Sequence, residues 1–171
     1  MNDHCIATIN STHFALIGGK TEETSFAQGS FLFSSLEDKW TELPSLNVGR
    51  NGHFCGLVGD QENIIFVTAG YEQGWVETDS VETLDLNSLE AWKEEDFKFP
   101  AKIAYGVTLE GTEGQTYMIG GAGSGDSKEV TTVYTLDYDK KTFPQLDTSL
   151  KVPRSGFMAT IMPDDYLTCT E

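Results

Sequence analysis

Three stretches decide the fold: FALIGG at 14–19, IFVTAG at 65–70 and TYMIGG at 116–121. Gly19, Gly70 and Gly121 stand 51 and 51 positions apart. Large aromatics follow at Trp40, Trp92 and Phe143, 52 and 51 apart. Basic residues follow again at Arg50, Lys102 and Arg154, 52 and 52 apart. Three residue classes that keep one period identify an internal repeat.

Working outward from these anchors, the repeats run over about 1–50, 51–102 and 103–154, with a partial copy over 155–171. The partial copy is carried by Ala7-Thr8-Ile9 and Ala159-Thr160-Ile161, which match at an offset of 152. At that offset Tyr166 falls where Phe14 stands, and Thr170-Glu171 fall where Gly18-Gly19 would be. The sequence is thus expected to end in mid-repeat, as part of a longer chain or of an assembly that closes by pairing with another copy.

Each period holds four short runs rich in β-branched and aromatic residues, bounded by Gly, Asn, Asp and Pro. They lie near 4–9, 14–18, 30–34 and 39–43; then 53–58, 63–69, 80–85 and 91–96; then 104–109, 115–120, 129–137 and 142–146. The stretch SLEAWKEEDF at 88–97 has helical propensity, but its counterparts in the other repeats are β-like, and the repeat assigns it to a strand.

A period near 50 with four strands per unit resembles that of kelch-repeat proteins. The Gly-Gly pair that closes the second strand in that family appears as Gly18-Gly19, Ala69-Gly70 and Gly120-Gly121. The family's Trp appears as Trp40 and Trp92, with Phe143 in its place, and its Arg as Arg50 and Arg154. The Tyr-Asp pair of the third strand is replaced by Phe33-Ser34, Leu84-Asp85 and Leu136-Asp137. The resemblance covers essentially the whole chain. It implies an all-β fold, a partial β-propeller of three four-stranded blades plus two strands of a fourth. Each blade would need neighbours to cover both of its faces.

Formal net charge is -16, from 11 basic and 27 acidic residues. Such a surface repels phosphate backbones and anionic headgroups, so nucleic acid and membrane are not expected partners, and a neutral or basic protein is. No apolar run approaches the length that spans a bilayer. The odd, sparse set Cys5, Cys55 and Cys169 suggests neither a disulfide framework nor a zinc site, and cytoplasm is the expected location. The sequon Asn10-Ser11-Thr12 leaves a secreted alternative open.

Catalytic chemistry finds no support. His4, His13 and His53 have no metal-ligand spacing, and no metal or cofactor is expected. Some propellers resembling kelch hold a copper radical site, but no Tyr, Cys and His set here matches it. No GxSxG occurs. The glycine-rich run 121–127 lacks the Lys-Ser/Thr ending of a phosphate loop and reads as a surface loop.

The connections after each second strand, 20–30, 71–80 and 122–129, are polar and differ from one another, as binding loops on a repeated scaffold do. Tyr71 and Trp75 in the middle loop are candidate partner contacts, with packing on their own blade as the alternative. Arg50 and Arg154 are candidates too, set against a structural role in which they satisfy carbonyls between blades. The expected function is a protein-interaction module. The resemblance adds the substrate-receptor part of a ubiquitin-ligase adaptor, and an actin-associated scaffold is a further alternative. The enzyme or sugar-binding alternative would place a site in the central channel.

Overall fold

In the computed structural model the described residues are 2–59, 63–111, 115–123 and 129–162. They are all-β, with no helix among them, and no sheet closes on itself.

The first sheet is a four-stranded antiparallel meander, β1 (Cys5–Asn10), β2 (His13–Ile17), β3 (Ser30–Ser34) and β4 (Lys39–Leu43), in sequence order. The middle sheet repeats that order with β5 (Phe54–Val58), β6 (Ile64–Thr68), β9 (Val81–Asp85) and β10 (Lys93–Glu94). Between β6 and β9 lies a small hairpin, β7 (Tyr71–Glu72) and β8 (Val76–Glu77).

The third sheet has three strands, β12 (Val107–Glu110), β13 (Thr116–Ile119) and β15 (Val133–Thr135). Beside it, β11 (Ile103–Ala104) pairs with β14 (Ala122–Gly123).

The expected strands at 142–146 and 91–96 are thus curtailed. The former is reduced to the isolated bridges Asp137↔Thr142 and Tyr134↔Gln145, and the latter to Lys93–Glu94. Pro144 breaks the first of these runs, since it has no N–H to offer a ladder. The first expected strand of a fourth unit is also not seen over 155–162, and the second, from Tyr166, lies with Cys169, Thr170 and Glu171 outside the described residues.

Strand alternation accounts for the stacking. In β5 and β6, Cys55, Leu57, Ile65 and Val67 point one way, into a cluster with Cys5, Ala7, Ala15 and Ile17 of the first sheet. Phe54, Val58 and Phe66 point the other way, into a cluster with Ile103, Met118, Tyr134 and Phe143. The middle sheet is therefore buried on both faces, and every residue of β5 is buried.

Aromatics outside the inner strands lock each interface. Trp92 donates its indole N–H to the Pro44 carbonyl across the first interface at 2.8 Å. Phe143 packs on Phe97 and Phe99 across the second, with ring centroids 5.7 and 5.0 Å away. Trp40, at the corresponding place in the first sheet, meets no other sheet among the described residues and stays 49% exposed, packed against Phe14 and Phe33.

The repeat is also written in the backbone. Asp3, Gly52, Tyr105 and Gly156 all adopt left-handed φ, between 55° and 60°. They are joined in series: Gly52 N–H donates to the Asp3 carbonyl (2.8 Å), Tyr105 to Gly52 (2.8 Å) and Gly156 to Tyr105 (2.7 Å). A second series ties the glycine pairs to the next repeat, with Gly19, Gly70 and Gly121 N–H donating to the carbonyls of Arg50, Ile103 and Arg154. These bonds begin the fourth period at Arg154–Gly156, although no strand follows among the described residues.

The structure also overturns the expectation drawn from the cysteines. Cys5 and Cys55 form a disulfide between the facing inner strands β1 and β5, with Cα atoms 5.9 Å apart. Strand alternation turns the two thiols toward each other across the same interface, a pairing that an odd cysteine count conceals.

Candidate functional site

The chain passes from second to third strand at one end of the sheets, and there the aromatics outside the core gather. The turn between β7 and β8 is closed by Trp75 N–H donating to the Glu72 carbonyl at 3.0 Å. Gly74 has φ 82°, which suits a turn position demanding positive φ. Trp75 itself has φ 62°. A bulky residue in that region is held there at a cost of order 1–3 kcal/mol, and such strain clusters at functional positions.

Trp75 does not fold into the core of its own sheet. It is 52% exposed, edge-on to Phe26 from the first sheet's loop (5.3 Å) and to Tyr71 (5.7 Å). Tyr71 in turn contacts Tyr105 at 5.7 Å, so residues from three successive repeats form one aromatic group.

Tyr71 anchors that group. Its backbone exchanges two hydrogen bonds with Asn51, at 3.0 and 2.9 Å, and its hydroxyl donates to Glu77 Oε1 at 3.1 Å. Burial, then the neighbouring Glu77 carboxylate, raises the phenol pKa, so it remains a neutral donor. Asn51 reaches back to the Ser25 carbonyl, which fixes the first loop beside the second. The two loops also carry carboxylates, Glu22 and Glu23 on the first and Glu72 and Asp79 on the second.

The two arginines separate. Arg50 has no exposed surface, and its guanidinium bonds Glu82 Oε1 at 2.6 Å, Ser80 Oγ at 3.0 Å and the Ser80 carbonyl at 3.3 Å. Glu82 also accepts the backbone N–H of Asn47 at 2.7 Å. Arg50 therefore ties the first repeat's exit to the middle sheet. Arg154 is exposed near the far end of the described chain, with its guanidinium 6.0 Å from the Phe157 ring. It is not brought together with Tyr71 and Trp75.

Sequence reasoning missed Phe26 and Tyr105 as members of the aromatic group. Both are large aromatics at the edges of presumed loops, the same signal that singled out Trp75. No group of His, Cys, Asp and Glu among the described residues is arranged to hold a metal. Of the glycine-rich run, residues 124–127 lie outside the described part. Compared with known protein families and with curated proteins, the chain matches no family model and no curated protein.

Proposed function

We propose that the chain is a segment of a kelch-type β-propeller, three blades and the entry of a fourth, acting as a protein-interaction module. The fold reading is supported by the serial left-handed entry residues, by the Gly-Gly positions and by the middle sheet's two buried faces. The functional reading is carried by one observation: Trp75 is half exposed at a strained turn, buttressed by Phe26 and Tyr71 rather than buried.

An aromatic already fixed by its neighbours loses little entropy when it is covered, which is the property of a binding hot spot. The carboxylates of these loops and the net charge of -16 favour a partner with an apolar patch rimmed by Lys or Arg.

The test compares the unaltered chain with Trp75→Gly. Glycine is at ease at φ 62°, so the variant is expected to keep its thermal stability within about 1 kcal/mol. Proteins crosslinked from a photoreactive residue at Gln73 should disappear or fall at least tenfold in the variant. If a well-folded variant retains the same crosslinked partners, the aromatic group is not the contact surface.

A further inference from the structure

We propose that Asn10 accepts an N-linked glycan, on a chain oxidised at Cys5 and Cys55 in the secretory pathway. The inference is independent of the interaction reading. Two observations carry it, and neither requires the other. The first is the disulfide between β1 and β5, a bond that persists in oxidising compartments and is rare in the cytosol. The second is Asn10-Ser11-Thr12, the single Asn-x-Ser/Thr triplet of the chain, placed on an exposed turn between β1 and β2.

The local geometry fits the acceptor chemistry. Asn10 Oδ1 receives the Thr12 N–H, the Thr12 hydroxyl and the His13 N–H, each at 2.9 Å. The carboxamide oxygen is thus turned onto the chain, and the hydroxyl required by the triplet already touches it. Nδ2 makes no hydrogen bond among the described residues, and Asn10 is exposed.

In the transfer, Nδ2 forms a bond to C1 of the first sugar of a lipid-diphosphate-linked oligosaccharide. The C1–O bond breaks, the lipid diphosphate leaves with the electron pair, and the amide proton passes to the transferase's base. The turn lies at the end of the strands opposite the loops that carry Phe26 and Trp75. A glycan there leaves the aromatic group uncovered.

One peptide pair reports on both halves. Trypsin cuts after Lys20, Arg50 and Lys93, so the peptide ending at Lys20 carries Cys5 and Asn10 and Asn51–Lys93 carries Cys55. The endogenous protein is isolated with its thiols blocked, digested without reductant, and treated with peptide-N-glycosidase F in heavy-oxygen water. The expected result is a linked pair in which Asn10 is converted to aspartate bearing the heavy oxygen. In secreted expression, Asn10→Gln should abolish the glycosidase-sensitive mobility shift. A linked pair with unmodified Asn10 overturns the proposal, and so does alkylation of Cys5 and Cys55 in the native protein.

Discussion

His53 lies wholly inside the stack of sheets, with no well-formed hydrogen bond to either ring nitrogen. Burial first, then the charge of Arg50 and the proximity of His4, push its pKa down to about 3, against a weaker opposing effect from the Ile17 backbone. In the unfolded chain an ordinary histidine takes up its proton near pH 6.5. Between about 6.5 and 3 the unfolded state therefore binds a proton that the folded state refuses. Stability from this residue is complete above that window and falls by about 1.4 kcal/mol per pH unit inside it. Urea unfolding at several pH values should show that slope, superimposed on the carboxylates. His53→Phe should flatten it: Phe157 occupies the corresponding place and packs under Gly120 as His53 packs under Gly18. Arg50 invites a second measurement at this scale. Arg50→Met leaves Glu82 buried without its cation, and the expected loss is about 3–5 kcal/mol in chemical denaturation.

At the scale of elements, the disulfide is the point where chemistry and topology meet. It closes a loop that spans a whole repeat, so reduction or Cys55→Ser should cost about 2–4 kcal/mol, read as a drop in the denaturation midpoint. Most strands were legible because apolar alternation and the 51-residue spacing agree: β3 and β4 occupy the expected 30–34 and 39–43. The third sheet's missing strand was not, because the repeat argued for 142–146 while Pro144 argued against it, and a strand at a sheet edge has one neighbour fewer to enforce it. The β7–β8 hairpin was hidden inside a loop defined only by its polarity. Arg50 and Arg154 looked alike by spacing. Only burial separates them, and burial depends on which sheet lies alongside. The four entry residues Asp3, Gly52, Tyr105 and Gly156 share a φ and no chemistry, so no residue pattern could announce them.

Across the whole molecule, the middle sheet shows what each face requires, and the first sheet has one face without it. Ile6, Phe14, Leu16, Phe31, Phe33 and Trp40 line that face, with Ile6 and Trp40 about half exposed. Propeller closure would cover it with another sheet, from a second copy or from further repeats. Sedimentation velocity on these 171 residues should therefore show association that rises with concentration and is weakened by Trp40→Lys. A monomer at all concentrations would count against closure by self-pairing.

The backbone series through Asp3, Gly52, Tyr105 and Gly156 has a meaning for how such a chain can change over generations. The joints between units are N–H···O=C bonds and a dihedral angle, so the coupling is written in a currency that every amino acid except proline carries. The side chains at the joints already differ: an aspartate, two glycines and a tyrosine fill the same post. Duplication can lengthen the array, and divergence can reshape its loops, without renegotiating the hinge between neighbours. For protein engineering, the matching part is a transferable coupling: a unit cut just before one left-handed residue should graft onto any other unit cut at the same point.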